Sequence, residues 1–561
     1  MKNENKILFI PLGGCSEIGM NMYLYGIKSK KKTEYIMVDA GITFPDPEYT
    51  PGVELIMPDT TFVEDNLENM KAIFITHAHE DHIGSLSHLF EYIEAPVYCR
   101  KFTALVAKSK IDRGGGDTSQ VRVAKSFPKM IKAGAFKVGF FGMSHSIPEA
   151  SGLVIDTPCG RIFHSGDFKI DHSPVLGEPF NTRALEDLGK TGIMALTCDS
   201  TNVFNENPGR SESTLFNNFV NLFEKVEGMV VATTFASNLA RLTTLASAAE
   251  KTDRSLVILG RAMNTMIAFG RESGVLKDFP EVISPRDAKF KPRKNLLVLA
   301  SGSQGEPRAA SAQLARDSYM GLTLKEGDVF LFSSKTIPGN ELRVAKIIDK
   351  LERRGVEVIE DKDGRYHVSG HANKPDLKEF HELIKPGIII PMHGEYRHLR
   401  EHARLGEKNG TRSIIATNGE VVEILPNSRA SITGEVPVGR VFLDGSLLVD
   451  EDEGVTLDRV KLMKNGHAVV SVLVTAESPF FSFELSLLGV PPVDDLKSRL
   501  VSELEGTFDN FVRSSQVDLT ARISNELVEN ECRRLLNKFF KSELGKKPQV
   551  SVCIHREDHE R

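Results

Sequence analysis

Tryptophan is absent, and the six cysteines (15, 99, 159, 198, 532 and 553) are scattered over 561 residues with no C-x-x-C pair. Such spacing argues against a disulfide framework and a thiolate zinc site, and for a reducing compartment. No apolar run approaches the roughly 18 residues of a membrane helix. The opening stretch, MKNENKILFIPLGG, meets its glycines too soon for a secretory signal. Excess charge is missing too: a net of −6 does not announce a nucleic-acid binder, so any such surface must be local. These absences leave a cytoplasmic enzyme or binding module with no membrane contact, in a chain long enough for roughly two to four domains.

From 7 to 200, short β-rich runs such as KILFIPLGG, YIMVDAG, KAIFITH, APVYCR, FKVGFFGMSHS, GLVIDTP, GRIFHSGD and IMALTCDST alternate with turn residues. Their spacing predicts stacked sheets, with helical patterns such as GSLSHLFEYI (84–93) between some of them. From about 213 the rhythm becomes strand, loop, helix, four times over: MVVATTFASN, SLVILGRAMN, NLLVLASGSQGEP and DVFLFSSKTIPGN each precede a helical pattern. Unbroken apolar strands followed by amphipathic helices predict a parallel sheet covered on both faces, with ligand-binding turns at the strand ends. None of these turns is followed by G-K-[ST], so they are not nucleotide-hydrolysing loops. After about 365 come YHVSGHANK and IIIPMHGEY, and VGRVFLDGSLLVDEDEGV reads as a hairpin-rich connector. From about 457, a strand (467–476), two amphipathic helices (493–513 and 521–543) and the strand QVSVCIH predict a small α+β domain.

The chemistry concentrates in ITHAHEDHIGSL (75–86). Buried imidazoles need partners for both ring nitrogens, which makes such a cluster poor core material. Alternation along an extended backbone lets His77, His79 and Asp81 converge, with His82 joining from the start of a helix. Three imidazoles and a carboxylate suit zinc or manganese rather than calcium or magnesium. His145, Asp167 and His393, each taken singly, read as turn residues.

The order VDAG (Asp39), HAHEDH, His145 and Asp167 resembles the metallo-β-lactamase superfamily. In that resemblance His77, His79 and His145 hold one metal and Asp81 and His82 the second. Asp167 bridges both, and Asp39 orients the cluster from behind its ligands. The superfamily's next histidine is missing, since His172 lies too close to Asp167. The α/β block stands there instead, and His393 after it supplies the displaced ligand. Such an insertion marks the β-CASP branch, with Asp199 in CDST, His371 in HVSGHA and His393 in PMHGEY matching its three extra motifs. SGSQGEP, SSKTIPGNE and HVSGHA are close to the wording of the bacterial ribonuclease J family. The implied fold is α/β: an αββα metallo-β-lactamase domain (1–210 and 365–445, the latter with the connector), interrupted by a parallel-sheet β-CASP domain (211–364), plus a C-terminal α+β domain (457–561). A structural calcium near Gly52, Glu54 and Asp444 is known in some relatives.

What the resemblance implies chemically is hydrolysis of RNA phosphodiesters by two zinc ions, with manganese as the alternative. Two metals about 3.5–4 Å apart clamp an in-line displacement at phosphorus, and His371 held by Asp199 protonates the leaving oxygen. Asp81 counts among the catalytic residues as well as the ligands. Ser237, Asn238, His367, Val368, Ser369, Gly370 and His371 are the candidates for gripping the RNA. The expected activity is 5′→3′ exonuclease, preferring a 5′-monophosphate, together with endonuclease, in RNA maturation and decay. Single-stranded RNA, a second or fourth copy of the chain and other RNA-decay proteins are the expected partners. A DNA-directed β-CASP nuclease and a non-catalytic RNA-binding scaffold are the competing readings.

Overall fold

The computed structural model describes residues 5–30, 32–89, 92–426, 428–475, 481–514 and 524–557. Phe90 and Glu91 of the 84–93 pattern, Ala476 and residues 521–523 of the last expected helix therefore lie outside the described residues.

Two sheets face each other across one apolar layer. In the first, Lys6–Gly13 lies between Glu420–Leu425 and Met22–Lys28, and the order continues through Thr33–Val38, Met70–Phe74, Val97–Cys99 and Val121–Val123. In the second, Ile388–Met392, Ile193–Asp199 and Gly160–His164 run parallel, followed by antiparallel Ser151–Thr157 and Phe136–Gly142. Ile7, Phe9, Tyr25 and Phe74 of the first sheet share a core with Val138, Phe140, Leu153 and Ile155 of the second. The two-residue period of a strand turns Val154, between Leu153 and Ile155, to the opposite face. There Val154, Phe163 and Leu196 pack on Leu185, Leu377 and Phe380 of the helices Thr182–Gly189 and Lys374–Ile384.

Ile193–Asp199 and Ile388–Met392 are neighbours in the second sheet, with Asp199 opposite Met392. Between them in sequence comes a separate five-stranded sheet, wholly parallel, ordered Ser255–Leu259, Leu296–Ala300, Val230–Thr233, Val329–Phe332 and Glu357–Glu360. Its central strands are buried at every position, which explains their unbroken apolar reading.

The described chain forms two compact units. Everything above lies in Met1–Thr43 with Ile56–Val441, and the second unit is Phe44–Leu55 with Phe442–Arg561. Phe44–Leu55 thus sides with the C-terminal unit although it falls inside the expected first domain. The Glu54 N–H donates to Leu443 O at 2.9 Å. Within this unit Phe481–Leu488, His467–Val474 and Gln549–Arg556 make a sheet. Val470, Val472 and Phe483 pack there against Leu500, Leu504, Leu536 and Phe540 of the helices Leu496–Ser514 and Asn525–Leu544. Among the described residues, no helix is long and apolar enough to cross a membrane.

Candidate metal centre

Every candidate ligand sits just beyond a strand of the layered sheets. His77 and His79 follow Met70–Phe74, and the short helix Glu80–Ile83 carries Asp81 and His82. His145, Asp167 and His393 follow Phe136–Gly142, Gly160–His164 and Ile388–Met392, while Asp199 closes Ile193–Asp199. Seven side chains scattered between 77 and 393 are brought together in this way. His77, His79, His145 and Asp167 form one group and Asp81, His82, Asp167 and His393 another, the ligand atoms of each lying within 4.8 Å of one another. The alternation expected to bring His77, His79 and Asp81 together does not persist, because the helix begins at Glu80 and swings Asp81 to the second group.

Hydrogen bonds outside each group decide which ring nitrogen faces inward. His145 Nδ1 lies 2.6 Å from Gly370 O, an oxygen that only accepts, so Nδ1 carries the proton and Nε2 offers its lone pair. His82 Nδ1 likewise donates to Asp39 Oδ2 at 2.7 Å. Thr76 Oγ1 donates to the same carboxylate at 2.8 Å, which leaves it to accept from His77 Nδ1 at 3.0 Å. On the second group Thr201 Oγ1 donates to Asp199 Oδ1 at 2.7 Å and accepts from His393 Nδ1 at 3.0 Å. Lone pairs of His77 Nε2, His82 Nε2, His145 Nε2 and His393 Nε2 thus converge, an arrangement that repels itself unless a cation lies between.

Asp167 is the point they share. Its Oδ2 lies 3.2 Å from His82 Nε2, 3.8 Å from His77 Nε2 and 3.9 Å from His145 Nε2. Its Oδ1 is buried with no hydrogen bond, although His393 Nδ1 comes within 3.2 Å; that nitrogen's proton is already directed at Thr201. A buried, unsatisfied carboxylate oxygen among inward lone pairs fits metal binding, and two groups sharing one carboxylate make a site for two ions. Burial, aided by neighbouring imidazoles, holds His77 and His145 well below the usual imidazole range, and burial pushes His79 down to about 4. Burial opposes the charge on Asp167 too, but His393 and His82 override it and keep the carboxyl well below its usual range. That carboxylate in turn holds both imidazoles well above their usual range against their own burial, and bound cations would take the place of the two ring protons.

Beside the second group, His371 Nδ1 meets Asp199 Oδ2 at 2.8 Å. Burial works against charging His371, and the adjacent Asp199 carboxylate outweighs it, so the imidazole pKa is raised. The side chain remains 21 % exposed, which leaves it reachable. Gly370 is tightly constrained: a Cβ there would stand 2.7 Å from His145 Cε1. Ser369 Oγ accepts from Asn202 Nδ2 at 2.8 Å and from His371 N at 3.1 Å, and Val368 is buried. Ser237 is half-buried and Asn238 caps the helix Leu239–Lys251 through Arg241 N at 2.9 Å. His367 is pushed down to about 3 by burial and then by Arg241, Lys335, Arg210 and Lys169.

Domain models match along the chain: a beta-lactamase superfamily domain over 34–181, a ribonuclease J beta-CASP domain over 227–351, a Zn-dependent metallo-hydrolase RNA specificity domain over 364–416 and a ribonuclease J C-terminal domain over 454–557. Ribonuclease J of Sinorhizobium meliloti is 37% identical over 99% of this chain and 98% of its own length. The chain belongs to the ribonuclease J family. Ribonuclease J of Synechocystis sp. is 32% identical over 97% of the chain and 86% of its own length. Ribonuclease J2 of Bacillus subtilis is 30% identical over 99% of each. A crystal structure of a protein of unknown function from Enterococcus faecalis V583 shares the fold over 75% of this chain and 100% of its own, with a TM-score of 0.52 at 18% identity.

For a ribonuclease J family member, several residues around the centre carry no sequence signal. Thr76, Thr201 and Asn202 are single polar residues whose importance lies in what they hold. Asn21 Nδ2, 3.0 Å from His82 Nε2 and 3.4 Å from Asp81 Oδ2, is another. Thr234 Oγ1 and Ser334 Oγ, just beyond neighbouring strands of the parallel sheet, are buried with no hydrogen bond. Apart from the centre, Cys198, His381 and His402 form a further buried cluster. Its imidazoles meet at 3.0 Å between their Nε2 atoms, and Ser200 Oγ lies 2.9 Å from His402 Nδ1. At the candidate calcium position, Arg459 pairs with Asp444 at 2.5 Å and Gly445 N donates to Glu54 at 2.9 Å. A Cβ on Gly52 would stand 2.8 Å from Arg459 Nη1, so the chain's own guanidinium supplies positive charge there.

Proposed function

We propose that the chain is a ribonuclease that hydrolyses single-stranded RNA, as a 5′→3′ exonuclease preferring a 5′-monophosphate and as an endonuclease, in RNA maturation and decay. The observation that carries this reading is the pair of His/Asp groups sharing Asp167, with the His371–Asp199 hydrogen bond beside the second. His77, His79 and His145 would hold one ion, Asp81, His82 and His393 the other, and Asp167 both. Zinc suits this imidazole-rich set, with manganese as the alternative. Two such ions supply an acidified water and a clamp for in-line displacement at phosphorus. Asp39 and Thr76 keep His82 and His77 in the tautomers that leave Nε2 free. His371, charged by Asp199, protonates the 3′ oxygen as its bond to phosphorus breaks, leaving a 3′-hydroxyl upstream and a 5′-phosphate downstream.

Support for a 5′-end pocket comes from His367, Ser369 and Gly370 together with Lys335, Arg210 and Lys169, a local concentration of cations in a chain of net charge −6. The unsatisfied hydroxyls of Thr234 and Ser334 suit phosphate oxygens, and Ser237 and Asn238 line the same strand ends. A 5′-triphosphate is bulkier and more charged than this pocket requires. We further assign 1–210 with 365–445, 211–364 and 457–561 as the domains, save that Phe44–Leu55 groups with the C-terminal unit. The last serves self-association as a homodimer or homotetramer, in a cytoplasmic enzyme that also meets other RNA-decay proteins.

Digestion of 5′-monophosphorylated RNA, matched 5′-triphosphorylated RNA and matched DNA, each with and without chelator, tests the reading. Metal-dependent cutting of RNA, fastest from the monophosphate, is expected. Equal rates on the two RNA ends would remove the pocket, faster cutting of DNA would reassign the substrate, and no cutting of anything would leave only a binding scaffold.

A further inference from the structure

The chain passes between the layered sheets and the parallel sheet twice, once after Asp199 and once before His371, and two guanidiniums tie the passages. Arg210 Nη2 donates to Gly364 O and, at 2.9 Å, to His367 O, and Arg241 acts from the parallel-sheet side. Arg241, in the helix Leu239–Lys251, is completely buried. Its Nε and Nη2 grip the carboxylate of Glu212 on the first passage, Nη2 meeting Oε2 at 2.9 Å. Its Nη1 reaches Ser333 O at 2.7 Å, Ser333 Oγ at 2.9 Å and, on the second passage, Tyr366 O at 3.2 Å. Ser333 Oγ donates onward to Tyr366 O at 2.7 Å. The same Nη1 lies 3.4 Å from His367 Nδ1.

A guanidinium only donates. Facing Nη1, His367 Nδ1 can only accept, which favours the ring's proton on Nε2 even though Nη1 also serves three closer oxygens. Arg241 thereby biases a histidine with two tautomers towards the N–H donor that a phosphate oxygen needs. The other end of this segment is tied independently, Ser369 by Asn202, Gly370 by His145 and His371 by Asp199. Arg210 holds the His367 carbonyl at 2.9 Å, so release of Arg241 frees the His367 ring and leaves its backbone and the cleavage end anchored.

We infer that Arg241, braced by Glu212 and Ser333, is a positioning residue that orients the ring of His367 and biases its tautomer, and so governs the enzyme's grip on the RNA 5′ end. The inference rests on the reading of His367 as a contact for that end.

Removing one partner of a buried pair strands the other's charge, whereas replacing both with apolar residues of similar volume is often neutral for folding. The double variant Arg241→Met with Glu212→Leu is accordingly the main test. Ser333→Ala, which deletes only the bridging hydroxyl, is the second. Cleavage of linear 5′-monophosphorylated RNA is compared with cleavage of a circular RNA of the same sequence, which has no end. Metal content and thermal melting are measured on the same preparations. Both variants should keep their metals and cut the circle within about threefold of the unaltered enzyme. The linear-to-circular ratio should fall by about ten- to a hundredfold in the double variant, and by less in Ser333→Ala. An unchanged ratio in whichever variant folds, including a parallel loss on both substrates, would overturn the inference and make the pair merely structural. Equal rates of the unaltered enzyme on 5′-mono- and 5′-triphosphate ends would instead sink the pocket reading, and that comparison involves no variant.

Discussion

His371 and His393 are both histidines beside the centre, yet the proposed chemistry gives them different work, and the difference can be measured. His371→Ala deletes the proton donor and keeps both ligand groups. General acids contribute about 10²–10⁴ in rate. Two features place His371 in the upper half of that span. Its Asp199 partner is 2.8 Å away and buried, and the loss leaves that carboxylate facing the cleft with only Thr201 N, at 2.9 Å, and Thr201 Oγ1, at 2.7 Å, as donors. A fall of about 10³–10⁴ is expected. Asp199→Asn keeps a hydrogen-bonding partner and removes the charge that favours imidazolium, so a milder fall of about 10–10² is expected. His393→Ala removes a donor of the second group, and bound metal should drop towards one ion per chain together with activity. Elemental analysis and single-turnover cleavage on the same preparations decide the matter. The ligand atoms of Asp167, Asp199, His371 and His393 also lie within 4.8 Å of one another, so the alternative is concrete. If His371→Ala loses metal as readily as His393→Ala, His371 is a ligand and the acid lies elsewhere.

Gly370→Ala should weaken metal binding about 10–100-fold, because the new methyl would stand 2.9 Å from His145 Nδ1; an unaltered metal titration would show that the segment gives way freely. Ending the chain before residue 450 should lower the oligomer mass seen by light scattering while the metals stay bound, and an unchanged mass would move self-association elsewhere. Burial holds His381 well below an ordinary histidine and His402 down to about 4. The unfolded chain then takes up protons first, so their contribution is whole above about pH 6.5 and is lost as pH falls towards 4, by roughly 3 kcal/mol for His402. Urea denaturation from pH 7.5 to 4.5 should show this slope, flattened in a His381→Phe, His402→Leu variant; parallel curves would clear the pair.

Legibility varied with the kind of signal. The parallel sheet could be read directly, because strands buried on both faces write unbroken apolar runs such as SLVIL and LLVLA. HAHEDH stood out because four chemically loaded residues share six positions. His145, Asp167 and His393 were different: singly they are turn residues, and only their order in a known pattern singled them out. The helix that starts at Glu80 and redirects Asp81 is four residues long, too short to write a period. Thr76, Asn21, Thr201 and Arg241 act through partners up to 192 positions away, and a single polar residue leaves no pattern. Cys198, His381 and His402 lie on a strand and two helices, and only the tertiary fold makes them a cluster. The assignment of Phe44–Leu55 to the C-terminal unit depends on pairing with residues some four hundred positions downstream.

The insertion of the parallel sheet has a consequence for birth on the ribosome. Lys6 and Glu423 pair across 417 positions, so the strand Lys6–Gly13 emerges long before Glu420–Leu425 exists to cover its edge. At about 5–20 residues per second the wait is on the order of 20–80 seconds, with an apolar strand edge open to other nascent chains. The donors of the first metal group, by contrast, are all synthesised by Asp167, whereas the second group waits for His393, 312 positions after Asp81. The two candidate ligand groups are therefore complete in the growing chain at different moments, the first long before the second.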